Sequence, residues 1–230
     1  LSAALVMVVV WLDLGETNTH KPGSFKAQFA AYPELLRSRR FWGYTLTAGF
    51  AAGAFFAFLG GGPYVATEIL GMEPSELGVS FFYLALGYMI GNFISGRYTK
   101  RMGVTRMMAV GSVFACFGII LPLLLFAYGS THPLAFFLPI FFLGFGNGMT
   151  LPSANAGIVS VRPQLAGSAS GLGGAIMIGG GAGLSVLAGL LLGPETGPYP
   201  LLFIMLVASV LGFLSTLYVM HVDRLVAAEK

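Results

Sequence analysis

Ionisable side chains are scarce: charged residues make up 9% of the 230 positions, against about 25% in an average soluble domain. No Asp, Glu, Lys, Arg or His lies in the central part of any long apolar run. With 56% hydrophobic residues and a mean hydropathy of +0.83, a water-soluble fold is ruled out. Cysteine is nearly absent as well. The single Cys116 sits inside an apolar run, so neither an intrachain disulfide nor a cysteine metal cluster can form. Histidine is limited to His20, His132 and His221, at helix ends or in a polar segment. The chain therefore offers no nucleophile with its base and no metal-ligand group, and neither an enzyme nor a bound cofactor is expected. The pI near 9.1 would suit a nucleic-acid partner only if the positive charge were gathered on one face. It is spread over several short loops, and nucleic acid is not an expected partner.

The basic residues that are present fall in alternate gaps between apolar runs. Lys21, Lys26, Arg37, Arg39 and Arg40 precede the first complete run; Arg97, Lys100, Arg101 and Arg106 follow the second; Arg162 follows the fourth; Arg224 and Lys230 follow the sixth. The intervening gaps carry Glu68, Glu73 and Glu76, or Glu195, or no charge at all between Tyr128 and His132. Loops that collect Lys and Arg stay on the cytoplasmic side, so both ends of the six-helix block are expected in the cytoplasm.

The apolar runs are Phe41 to Ala66, Leu77 to Ser95, Met107 to Tyr128, Pro133 to Val161, Leu165 to Gly193 and Leu201 to Val222. Each is long enough to cross the hydrocarbon layer as a helix, and the period-two alternation of a membrane barrel is missing. The fold class is thus all-α integral membrane. Ahead of these runs, Leu1 to Leu12 is apolar but only about half of the roughly 20 residues a spanning helix needs. It lacks the basic start and small-residue cleavage site of a signal peptide, which points to the end of a truncated helix and to a chain that is a fragment. The expected organisation is a helix end over 1–13, a cytoplasmic linker over 14–40 with an amphipathic stretch from Phe25 to Leu36, a bundle over 41–222 and a cytoplasmic tail over 223–230.

Helix-breaking residues cluster at Gly60, Gly61, Gly62 and Pro63, near the outer end of the first run, and at Pro139 and Pro152 in the fourth. Such positions either line a cavity, where freed carbonyls find partners, or simply kink the helix. In the fifth run Gly167, Gly171, Ala175, Gly179 and Gly183 recur every four residues. That ladder lets another helix approach closely, for packing alone or for a helix that also slides.

The most specific segment joins the second run to the third: Gly91-Asn92-Phe93-Ile94-Ser95-Gly96-Arg97-Tyr98-Thr99-Lys100-Arg101-Met102-Gly103. It resembles the second-half copy of the Gly-x-x-x-Asp-Arg-x-Gly-Arg-Arg signature of the major facilitator superfamily, with Tyr98 and Thr99 where the Asp is expected. Leu14-Gly15-Glu16-Thr17 resembles the end of the sixth helix in that family. Gly62-Pro63-Tyr64-Val65, with Glu68 and Gly71, resembles the end of the seventh helix in Bcr/CflA-type multidrug exporters, with Gly in place of Ser. Gly146 to Ala156 and Ala166 to Gly171 are similar to the tenth and eleventh helices of that subfamily.

The resemblance implies the six-helix C-terminal half of a facilitator fold, working by alternating access with an absent N-terminal half of the same transporter. It implies export of small amphipathic molecules in exchange for protons, in a bacterial inner membrane; uptake or exchange of a neutral metabolite such as a sugar stays open. Gly96, Arg97, Lys100, Arg101 and Gly103 would form a cytoplasmic gate, and Gly62, Pro63 and Tyr64 an outer helix break. Proton coupling needs an ionisable group inside the membrane, and the coupling carboxylate is expected in the other half, with Glu68 as an alternative.

Uncharged polar and aromatic groups at membrane depth are the candidates for a substrate wall. Tyr44, Thr47, Ala51, Phe55 and Phe58 recur at helical spacing, and Asn147, Leu151 and Asn155 share a face, with Thr150 beside them. Amides can donate and accept hydrogen bonds, and aromatic rings suit amphipathic or cationic compounds. The same Asn residues can instead pair between helices.

Overall fold

The computed structural model describes Phe29 and residues 32–228, and it is all-helical over that range. The expected helix end over 1–13 and most of the linker lie outside the described residues. A short helix α1 (Tyr32–Arg37) leads into six long ones: α2 (Arg39–Tyr64), α3 (Pro74–Met102), α4 (Val104–Ala127), α5 (Pro133–Ser160), α6 (Ala166–Leu191) and α7 (Tyr199–Ala228). Each long helix is long and apolar enough to cross a membrane.

Local chemistry sets the boundaries. Ser38 caps α2, its hydroxyl accepting from the Phe41 N–H at 3.3 Å. Glu73 and Glu76 form a reciprocal capping box around Pro74 at the start of α3. His132 caps α5, with Pro133 as its first residue. Gly103 alone separates α3 from α4, at φ 89° and ψ 151°, a conformation essentially closed to residues with a Cβ. Gly103→Ala should destabilise the protein by about 1–3 kcal/mol, read as a lowered melting temperature in detergent; an unchanged melt would mean that the turn can rearrange at no cost.

At the expected outer break, Gly62, Pro63 and Tyr64, the chain stays helical but changes type. α2 runs through Pro63 to Tyr64, and a π-helical turn, Val65–Ile69, follows. The glycines serve close packing instead. A Cβ on Gly60 would strike the Ser185 side chain on α6, and one on Gly61 would come within 2.9 Å of Leu192 and Leu201. The Thr67 hydroxyl donates to the Pro63 carbonyl at 3.1 Å. α5 is likewise continuous through Pro139 and Pro152.

α2 and α5 are the central helices. α5 packs against α3, α4 and α2, while α2 packs against α6, α7 and α5. α6 is the least buried of the six. Two apolar layers fill the interior. One, toward the N-terminal end of α2, holds Leu35, Phe41, Tyr44, Met108, Ile158 and Val219. The other, toward the opposite end, holds Phe58, Ile119, Phe136, Phe137, Leu143 and Leu201, with Phe58 against the rings of Phe81, Phe136 and Phe137.

Candidate substrate pathway

Between the two apolar layers lies a belt of buried hydroxyls and one amide, drawn from four helices. Thr47 (α2) donates to the Gly43 carbonyl at 2.8 Å and lies 3.3 Å from the Thr216 hydroxyl (α7). Thr216 donates to the Gly212 carbonyl and lies 3.5 Å from Ser112 (α4). Thr150 (α5) donates to the Met108 carbonyl of α4 at 3.3 Å. Asn147, 1% exposed, donates from Nδ2 to the Ala51 carbonyl at 3.0 Å and so ties α5 to α2. These residues sit at the same depth because each helix interrupts its apolar face there with a Ser, Thr or Asn.

The belt is not saturated. Asn147 Oδ1 and Ser209 Oγ are buried without a hydrogen-bond partner, and both residues line a cavity of about 10 Å³ with Ser112 and Thr150. That is room for about one water molecule. A buried acceptor without a partner costs roughly 1–3 kcal/mol, so these two atoms lower the stability of the belt.

The expected pathway residues divide between the interior and the surface. Tyr44, Thr47, Phe58, Asn147 and Thr150 are all buried within the six-helix block, and Phe55 is half-buried against its apolar core. Asn155 is exposed, on the face of α5 that also presents Ala156 and Val159. In the gate segment Arg97, Lys100 and Arg101 are exposed and form no ion pair among the described residues. Gly96 lies inside α3 with open space where a Cβ would be, and Gly103 makes the turn. Gly62 is buried, with Pro63 and Tyr64 half-buried beside it. Glu68 is exposed, its neighbour Thr67 donating to it at 3.5 Å.

A charged cluster that sequence reasoning missed closes the N-terminal end of α2 against the last turns of α7. Asp223 accepts from Arg40 Nε through Oδ1 at 2.6 Å and from the Tyr44 hydroxyl through Oδ2 at 2.6 Å. Gly43 brings the helices close, a Cβ there falling 2.6 Å from Val219 Cβ, and Gly157 of α5 leaves room for the Tyr44 ring. The available signal was Arg40 and Tyr44 four residues apart, on one helical face, with an isolated acid just beyond the sixth apolar run.

The family model of the Major Facilitator Superfamily matches residues 1–177 and, in an overlapping second alignment, residues 62–229. The chain belongs to the major facilitator superfamily. It is similar to an uncharacterized MFS-type transporter, YdgK, of Bacillus subtilis (strain 168), with 31% identity over 216 residues that cover 92% of this chain and 52% of that protein. It is also similar to an uncharacterized transporter of Rickettsia felis (strain ATCC VR-1525 / URRWXCal2), with 22% identity over 186 residues, 76% of this chain and 46% of that protein. The chain spans about half the length of the curated relatives it matches.

Proposed function

We propose that this chain is the C-terminal six-helix half of a proton-coupled exporter of small amphipathic compounds, resembling the Bcr/CflA type and working by alternating access in a bacterial inner membrane. The observation that carries the reading is the chemistry at membrane depth: a polar belt of hydroxyls and one amide, flanked by aromatic rings, with no charged group among its members. A bundle without a basic residue at membrane depth gives an anion no partner, which suits neutral or lipophilic-cation cargo passing the open face of α5 at Asn155. The coupling carboxylate would then lie in the other six-helix half.

The remaining expectations fit this reading. The basic segments, at Arg37 to Arg40, Arg97 to Arg106, Arg162 and Arg224, would face the cytoplasm. Arg97, Lys100 and Arg101 would anchor the gate turn at Gly103, and the π-helical turn after Tyr64 would mark the outer end of the pathway. The other half would dock on the open faces of α3, α5 and α6. Gly167, Gly171, Gly179 and Gly183 of the α6 ladder have nothing near where a Cβ would be, as a face awaiting close helix contact would. Asn155 would then line the space between the halves.

The test is dye efflux from vesicles holding the full-length transporter under an imposed proton gradient. Asn155→Ala should alter the KM for a dye such as ethidium several-fold without changing the melting temperature, and a protonophore should abolish efflux. Export that survives the protonophore but stops on ATP depletion would defeat the proposal. No efflux under any gradient would favour facilitated movement of a neutral metabolite such as a sugar.

A further inference from the structure

A groove of about 570 Å³ opens on the side of the bundle between α2 and α7. Arg37, Arg39 and Trp42 stand at its mouth with Tyr218, and Leu46, Phe50, Leu211 and Leu214 form its floor. Phe50 and Leu211 also line a second, wholly apolar groove of about 220 Å³, which carries the channel on past Leu184 and Val207 to Phe203. We propose that this continuous groove binds a membrane phospholipid with an anionic headgroup, the phosphate held by Arg37 and Arg39 and one acyl chain lying along the floor.

Charge argues for that occupant. Among the described residues, the acids near this end of the bundle are already engaged: Glu34 with Arg162 at 2.7 Å, and Asp223 with Arg40 and Tyr44. Arg37 and Arg39 are exposed and have no carboxylate within ion-pair distance among the described residues. Arg39 is also the first residue of α2, where the backbone N–H groups and helix dipole add to the attraction for phosphate.

Depth and belt chemistry agree with charge. Trp42 is fixed by its Nε1 donating to the Leu36 carbonyl at 2.7 Å, and Tyr218 is 45% exposed beside it. Trp and Tyr are the side chains that settle at headgroup level. From Tyr218 to Phe203 the channel follows α7 for roughly 22 Å, at about 1.5 Å per residue. One leaflet of hydrocarbon is roughly 15 Å deep, so the floor accommodates an acyl chain over its whole length. A free phosphate or a soluble anion would leave that apolar floor unused, and a zwitterionic lipid would bring its own cationic headgroup up against the two guanidinium groups.

Trp42 supplies the readout. The full-length transporter is placed in nanodiscs of phosphatidylcholine doped with brominated phosphatidylglycerol or brominated phosphatidylcholine, and the Trp42 contribution is taken by difference from Trp42→Phe. Brominated phosphatidylglycerol should quench Trp42 at roughly tenfold lower mole fraction than its zwitterionic counterpart. The Arg37→Gln/Arg39→Gln double variant should erase that preference, since each basic side chain adds attraction for anionic lipid. Both arginines are surface groups, and an unchanged elution profile confirms that the variant is folded. Soluble glycerol phosphate should not relieve the quenching. Equal quenching by the two lipids, a preference that survives the double variant, or relief by glycerol phosphate would each overturn the proposal. So would no quenching by either lipid, which would mean that protein, the other six-helix half included, covers the groove.

Discussion

Gly148→Val should be among the most damaging single substitutions in the bundle, costing about 3 kcal/mol, the upper part of the range for overpacking. α3 and α5 cross through reciprocal glycine pairs, Gly87 and Gly91 on one helix and Gly144 and Gly148 on the other. A Cβ on Gly148 would strike the Tyr88 carbonyl oxygen and come within 2.8 Å of the Asn92 nitrogen and 3.0 Å of Gly91 Cα. These are backbone atoms, which no rotamer change can move aside. The helices would have to separate, and without a hydrophobic drive between helices in lipid that close contact is what holds them together. The expected result is a large fall in melting temperature and in monodisperse yield. Gly78→Val on the same helix α3, where no atom lies within 4 Å of a Cβ, provides the comparison. Equal melting temperatures for the two variants would show that the crossing does not depend on glycine.

This crossing also shows what hydropathy can and cannot reveal. The six spans were legible because exclusion from water is a property of composition, and the observed helices match the six apolar runs with ends shifted by a few residues. α3 extends to Met102 and α7 to Ala228 because basic and polar residues lengthen a helix beyond the hydrocarbon without breaking it. Which face of each helix meets protein was not legible. Lipid and protein interior are equally apolar, so the α6 ladder was read as a packing face while the glycines of the α3–α5 crossing, Gly87, Gly91, Gly144 and Gly148, were not. The same ambiguity applies to the stripe from Tyr44 to Phe58: helical spacing identified a face, and the structure directs most of it into the bundle's own core. Asn147 was singled out from its type and spacing alone, and its tie to the Ala51 carbonyl depends on a neighbour 96 residues away. Asp223 was overlooked because its partners, Arg40 and Tyr44, are 183 and 179 residues distant, a pairing that only the packing of α2 against α7 creates.

Breaking that cluster should also weaken the bundle, by an amount comparable to the loss of Gly103. In a double-mutant cycle, Arg40→Gln and Asp223→Asn should each destabilise the protein by about 1–2 kcal/mol, with a coupling of roughly 1 kcal/mol between them. The two side chains are 31% and 25% exposed, so solvent screens part of the attraction and the 3–5 kcal/mol seen on breaking fully buried pairs does not apply. Two features keep the effect above that of an ordinary surface pair. The carboxylate is held from both sides, by Arg40 at 2.6 Å and by the Tyr44 hydroxyl at 2.6 Å. The Tyr44 ring is itself buried, so removing the acid leaves its hydroxyl to find a new partner beside an uncompensated guanidinium. Tyr44→Phe should accordingly cost about 1 kcal/mol and should weaken the Arg40–Asp223 coupling. The cycle is read from thermal or denaturant unfolding in detergent. Strict additivity of Arg40→Gln and Asp223→Asn would mean that the pair contributes nothing beyond packing. A measured coupling would instead identify it as a fastening between the first and last helices of the six, so that any movement of α7 relative to α2 has to open it.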